Sequence, residues 1–174
     1  MSGAPFEAML TGGHPNSLGQ TVAVVEAVLG EPSRVEALFR CYESDDAVVR
    51  LRTSNAMMRV EAVRHDLLVP YIDRFLALGS LDQASAQWTL AKLFHRLADD
   101  MTPAQKQRAA ALMKTNLAQH GDWIVLINTM ETLTAWAAGD PSLRAWLRPE
   151  LARHCGDRRK SVSGRAAKLS AALS

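Results

Sequence analysis

The chain has 174 residues and a formal net charge of +2, with 48% hydrophobic and 22% charged residues. This balance is typical of one folded domain, and it excludes a disordered, highly charged chain. No apolar run approaches the ~20 residues of a membrane-spanning helix, and the N-terminus lacks the features of a secretory signal. We therefore expect a soluble cytoplasmic protein with no membrane partner.

Gly, Pro and small residues dominate the start of the chain, and residues 1–16 are predicted to form a flexible N-terminal arm. A single domain is expected over residues 17–174. Within it, apolar residues recur at three- and four-residue spacing, and no segment shows the alternation of a strand. The predicted helices cover about 18–29, 32–42, 46–64, 67–78, 81–97, 103–119, 123–138, 141–151 and 162–173.

The pair of helices within residues 45–79 is the clearest hairpin. Each has one apolar stripe, which must be buried against a neighbour. Pro70 is tolerated in the first turn of the second helix, where its missing N–H would have no partner. Gly79 is predicted to end that helix as a left-handed cap, a conformation that glycine adopts without steric cost.

Start signals precede several of the later helices. Thr102-Pro103-Ala104-Gln105 has the residues of a capping box, Asp122 and Asp140 are predicted caps, and Ser161 is predicted to cap the last helix. Short connections force antiparallel neighbours, and the hairpins recur at roughly 35 to 40 residues. The pattern predicts an all-α fold: an α-solenoid of about four stacked antiparallel hairpins plus a C-terminal helix.

The central hairpin resembles a HEAT repeat. The resemblance rests on Asp45-Asp46-Ala47-Val48-Val49-Arg50-Leu51-Arg52 and the later Leu67-Leu68-Val69-Pro70-Tyr71-Ile72, while His120-Gly121-Asp122-Trp123-Ile124-Val125-Leu126 looks like a degenerate second copy. Armadillo-type repeats fit the same pattern. The resemblance implies a right-handed superhelix that binds other proteins on its curved surface.

The family pattern also implies a structural role for three charged residues. Asp45 or Asp46, together with Arg50, would join neighbouring repeats through an ionic ladder. No catalytic or ligand-binding role is implied for them.

Some HEAT-like proteins are alkylpurine DNA glycosylases, which hold damaged DNA with tryptophans, an acid and arginines. In that branch the catalytic tryptophan lies just ahead of two acids on one helix. Neither Trp88 nor Trp123 is followed by such acids. Asp140 lies four residues after Trp136, but it is predicted to cap the next helix. This enzymatic role is therefore a remote alternative.

The sequence contains no motif typical of a metal site, a redox site, a catalytic nucleophile or a phosphate-binding loop. Cys41 and Cys155 are far apart with no metal or redox spacing, which favours a reducing compartment. The five histidines lack metal-site spacing, and neither a nucleophile elbow nor a phosphate loop is present. We predict no metal site, no cofactor and no catalytic residue, and a non-enzymatic protein is favoured over an enzyme.

The tryptophans divide into two groups. Trp136 and Trp146 fall on apolar stripes and are predicted to lie in the core, whereas Trp88 and Trp123 are flanked by polar residues. A partly exposed tryptophan beside polar groups is typical of a binding hot spot, although it can also fill space between repeats. The leading hypothesis is a scaffold module that binds a peptide or protein in a groove lined by the second helix of each hairpin.

The C-terminal end is basic, because residues 141–174 carry eight basic and two acidic residues. This asymmetry supports the alternative hypothesis, nucleic-acid binding through phosphate contacts, although a solvated helix surface has the same composition. The last helix is polar on its outer side, so we expect a capped monomer. The candidate binding residues of this end are Arg144, Arg148, Arg158, Arg159, Lys160, Arg165 and Lys168.

Overall fold

The structure, a computed structural model, describes residues 4–174 apart from the side chains of Ala4 and Pro5. These residues form ten α-helices and no strand, so the predicted all-α fold is confirmed. None of the described helices is long and apolar enough to cross a membrane. The helices are α1 (Ala4–Leu10), α2 (Thr21–Gly30), α3 (Val35–Arg40), α4 (Ala47–Val63), α5 (Ile72–Ala77), α6 (Ala84–Arg96), α7 (Pro103–Gln119), α8 (Trp123–Ala137), α9 (Pro141–His154) and α10 (Lys160–Ala172).

Side-chain caps begin four helices, three of them (α7, α8 and α9) at predicted residues. Asp46, Asp122 and Asp140 each accept a backbone N–H from the first turn of α4, α8 and α9. Thr102 and Gln105 form a complete capping box at α7. These caps satisfy donors that have no partner inside a helix, so the signals can be read from local sequence alone.

Two segments differ from the prediction. The last helix begins at Lys160 with no side-chain cap, so the predicted Ser161 cap is wrong. The helix predicted at 67–78 is shorter, since 3-10 turns at His65–Leu67 and Val69–Tyr71 precede α5. Proline lacks an N–H and disfavours helical geometry in the residue before it, which accounts for tight turns around Pro70.

Contacts divide the chain into two compact units, one ending at Arg74 and the other covering Phe75–Ser174. The single domain predicted over residues 17–174 stays a prediction. In the first unit α4 is central, because α1, α2 and α3 all contact it. Its fully buried apolar side chains include Phe6, Leu10, Val24, Val28, Leu38, Val49, Ala56, Met57 and Val60.

The N-terminal segment contributes α1 to the first unit, where it contacts α2 and α4, whereas the sequence predicted a flexible arm over residues 1–16. Helix α1 buries Phe6 and Leu10 completely. The side chain of Arg52, only 2% exposed on α4, reaches the loop that follows α1. Its guanidinium donates to the carbonyl oxygens of Leu10 at 2.6 Å, Gly12 at 2.7 Å, Ser17 at 3.0 Å and His14 at 3.1 Å.

The second unit is built around α8. Helix α8 contacts α6, α7, α9 and α10. A buried bond from the Thr132 hydroxyl to the Ala91 carbonyl, 2.9 Å long, links α8 to α6. Four helices of this unit therefore pack against α8.

The two cysteines lie in opposite environments, and this predicts their reactivity. Burial raises the pKa of the Cys41 thiol to about 11, whereas Cys155 is exposed. The thiolate is the reactive form of cysteine. At pH 8 we therefore expect Ellman's reagent to modify Cys155 rapidly and Cys41 only when the protein unfolds. The Cys155→Ser variant should then lose the fast phase, and two fast phases in the folded protein would contradict the burial of Cys41.

Candidate functional site

Helices α7 and α9 are held together towards their C-terminal ends. Arg153 Nη2 donates to the Leu117 carbonyl at 3.2 Å, and His154 Nε2 lies 3.0 Å from the same oxygen. One turn earlier on α7, the Lys114 ammonium lies 5.1 Å from the centre of the Trp146 ring. These contacts satisfy a carbonyl in the last turn of α7 and fix the spacing of the two helices there.

A groove opens between the earlier parts of these helices, and we call it the α7–α9 groove. Its volume is about 970 Å³. The end of α6, the end of α8 and the turn into α9 complete its walls. The lining residues are His95, Ala98, Asp99, Pro103, Lys106, Gln107, Ala110, Ala111, Lys114, Ala135, Trp136, Gly139, Asp140, Ser142 and Leu143.

Small side chains dominate the apolar part of this lining. The α7 wall presents Ala110 and Ala111, and the α8 end presents Ala135 beside Trp136. Small residues allow another backbone to approach closely, and a tryptophan offers a large apolar area beside them. The apolar part of the lining therefore combines small side chains with one large aromatic.

Trp136 lines this groove and carries an unpaired buried donor. Its side chain is half-buried, so the prediction that it lies in the core is wrong. Its indole Nε1 is nevertheless buried and has no hydrogen-bond partner among the described residues. The Nε of Arg144 is a second buried donor without a partner, although Nη2 of the same side chain donates to the Ala138 carbonyl at 3.2 Å. Buried tryptophan N–H groups are normally bonded, so these donors require an explanation.

Trp136 and Asp140 both line the groove. The hydrogen bond of Asp140 shows that this acid has a structural role. Asp140 Oδ1 accepts the backbone N–H of Leu143 at 3.0 Å, which confirms the predicted cap of α9. That oxygen is already engaged with a helix N-terminus, where a carboxylate is stabilised. The site therefore resembles a capped helix start more than a poised acid–base centre.

The basic residues predicted as a phosphate-binding array are largely engaged within the chain. Arg148 donates to the Leu173 carbonyl at 2.7 Å, and Arg159 donates to the Gly121 carbonyl at 2.6 Å. Arg159 also pairs with Asp157, which holds the pKa of that carboxyl far below its ordinary value. Cations at helix C-terminal ends bind carbonyls that would otherwise lack donors. This accounts for much of the basic composition.

The remaining predicted cations lie apart from the groove. Arg165 pairs with Glu131 at 2.8 Å, while Arg158, Lys160 and Lys168 are exposed. Arg144 contacts the turn before α9, but none of these side chains lines the groove. The structure thus does not gather the predicted basic residues into the α7–α9 groove.

The two tryptophans predicted as anchors also lie outside the groove. Trp88 is half-buried on α6, next to a buried Gln87 whose amide donates to the Leu81 carbonyl at 2.8 Å. Trp123 begins α8 and is 46% exposed, in agreement with the partly exposed position predicted for it. Trp146, predicted to be in the core, is half-buried under Lys114.

The residues of the predicted ionic ladder make local contacts in the first unit. Asp46 caps α4 and accepts a hydrogen bond from the Thr11 hydroxyl at 2.8 Å, which lowers the pKa of its carboxyl. Arg50 donates to the Ser44 carbonyl, and Asp45 is exposed. A ladder between repeats stays a prediction.

Sequence reasoning missed the groove residues of α7. Lys106, Ala110 and Lys114 lie at four-residue spacing, so they share one face of the helix. The signal available was that this face carries alanines and lysines with no acid, but nothing local shows that another helix opens a space opposite it. In the described part of the chain, no group of three His, Cys, Asp or Glu residues could hold a metal ion.

No family model, curated protein or solved structure matches this chain.

Proposed function

We propose that this protein is a non-enzymatic interaction module that binds a helical segment of a partner protein in the α7–α9 groove. The observation that carries the proposal is a groove of about 970 Å³ with an alanine-rich wall and a tryptophan beside it. Helix-in-groove recognition needs an apolar trough between helices, and anchor residues one turn apart then fill it. An amphipathic helix is the occupant that this shape fits.

The proposal also retains the stacked-hairpin architecture predicted from the sequence. The contacts of α8 with α6, α7, α9 and α10 in the second unit support it, because a helix inside a stacked array packs against the helices on either side of it. In a HEAT-like or armadillo-like array, the second helix of each hairpin lines the binding surface. In the proposed array α7 and α9 are the second helices of their hairpins, and residues of both line the groove.

Nucleic-acid binding is the weaker alternative. The arginines that would contact phosphates already bind carbonyls and carboxylates, as Arg148, Arg159 and Arg165 illustrate. A nucleic-acid surface needs an array of cations that can release counterions. The groove itself carries both signs of charge, which suits a polypeptide better.

The proposal predicts that bulk at Ala111 blocks binding. Phage-displayed random peptides of about 16 residues, long enough for a marginal helix, would be selected on the full chain. The enriched peptides would be labelled and their affinity measured by fluorescence anisotropy. Because Ala111 is exposed on the groove wall, we expect Ala111→Tyr to weaken them at least about tenfold, or ~1.4 kcal/mol.

Ala152→Tyr is the matched control for this experiment. Ala152 is an exposed alanine in α9 outside the lining, so the same change should leave affinity within about twofold. Peptides that respond equally to both variants, or no enrichment above an unrelated helical protein, would contradict a binding role for the groove.

A further inference from the structure

We infer that the segment bound in the α7–α9 groove is acidic: two carboxylates about two helical turns apart pair with Lys106 and Lys114. This inference rests on the proposed function and specifies the chemistry of the partner. It follows from the donors that the groove presents.

The lining carries two acids and two lysines, but the charged residues on its α7 wall are both lysines. Of its two acids, Asp140 is engaged as the cap of α9, and Asp99 is exposed on the turn before α7. The structure pairs neither Lys106 nor Lys114 with a carboxylate in the part of the chain it describes. Lys114 lies over the face of Trp146 instead, which holds its ammonium in place without neutralising it.

The separation of Lys106 and Lys114 predicts the spacing of the acidic residues in the partner segment. The two lysines are eight residues apart on α7, so their Cα atoms are separated by about 12 Å along the helix axis. A partner helix lying along α7 would match them with acidic residues seven or eight positions apart. Between these positions the wall is Ala110 and Ala111, which can receive an apolar side chain of the partner.

The N-terminal ends of α7 and α9, marked by Pro103 and Ser142, also line the groove. Their dipoles favour negative charge at the same place.

A double-mutant cycle tests the inference. Peptides enriched on the wild-type chain should carry Asp or Glu two turns apart, and changing these residues to Asn or Gln should weaken binding at least tenfold. In the Lys106→Gln/Lys114→Gln variant that loss should shrink to less than twofold, because the partners of the carboxylates are gone. Lys168→Gln, which removes an exposed lysine of α10 outside the groove, should retain the full loss.

The remaining outcomes separate the two proposals. Peptides that are blocked by Ala111→Tyr yet carry no acids, or that prefer lysines, would overturn the acidic partner and leave the groove as a binding site. If no peptide depends on Ala111, both proposals fail. A single-stranded oligonucleotide that binds more tightly than the peptides and depends on Lys106 and Lys114 would overturn the inference in favour of nucleic acid.

Discussion

Replacing Arg52 with methionine is expected to lower the free energy of unfolding by about 3 kcal/mol. The guanidinium makes four hydrogen bonds to carbonyl oxygens between Leu10 and Ser17. Methionine fills part of the space but leaves those acceptors without a charged donor. Urea denaturation monitored by circular dichroism measures the loss, and the cooperative midpoint should move to lower urea concentration.

Two further variants test whether the loss comes from the hydrogen bonds of Arg52. Arg59→Met changes an exposed arginine of the same helix, whose Nε bonds the Asn55 side chain at 2.7 Å, and it should cost less than about 0.5 kcal/mol. Arg52→Lys keeps the charge but loses the forked donor geometry, so we expect an intermediate loss. An Arg52→Met protein within 1 kcal/mol of wild type would show that the loop after α1 does not depend on this side chain.

The geometry around Arg52 also explains a glycine. Gly19 has φ +52°, in the left-handed region, and a Cβ there would lie 2.8 Å from Arg52 Nη1. Both the backbone conformation and the close approach of the guanidinium therefore require a residue without a side chain. The loop after α1 and the arginine are fitted to each other.

Arg52 shows why part of the fold was not predictable from local sequence. Periodicity located α4, and Asp46 supplied its cap, because both signals lie within a few residues. Sequence patterns assign a charged residue to the solvent side of a helix, so they did not predict that Arg52 is buried. The packing of α1 and the loop after it was not predicted either. The carbonyls that accept from Arg52 lie 35 to 42 residues away in the chain, and no short-range pattern reports them.

The candidate site was likewise only partly predictable from local sequence. The start of α7 was predictable, since Thr102 and Gln105 form a complete capping box. The groove was not, because it depends on how far α9 stands from α7. That distance is set by contacts such as those of Arg153 and His154 with the Leu117 carbonyl, which join residues 36 and 37 positions apart. Trp136 was assigned to the core for the same reason: its apolar stripe does not show which neighbour covers it.

Replacing Gly79 with valine is expected to destabilise the second unit by about 2–3 kcal/mol. Gly79 was predicted as a left-handed cap, but it lies in a 3-10 turn at Leu78–Ser80 and its φ is not positive. The actual constraint is packing: a Cβ would lie 1.8 Å from Leu112 Cδ1 and 3.1 Å from its Cγ. Leu112 belongs to α7, so a larger residue at 79 must rotate that side chain or push the helix.

A double mutant distinguishes steric packing from a backbone requirement. Leu112→Ala opens the space, so Gly79→Val/Leu112→Ala should be more stable than the sum of the single losses predicts, with a coupling of about 1 kcal/mol or more. Gly121→Val is the control, because no atom lies within 4 Å of a Cβ placed there. Strict additivity would contradict the packing explanation. Since α7 is also the wall that carries Lys106 and Lys114, the Gly79 variant should weaken peptide binding, and Leu112→Ala should restore part of it.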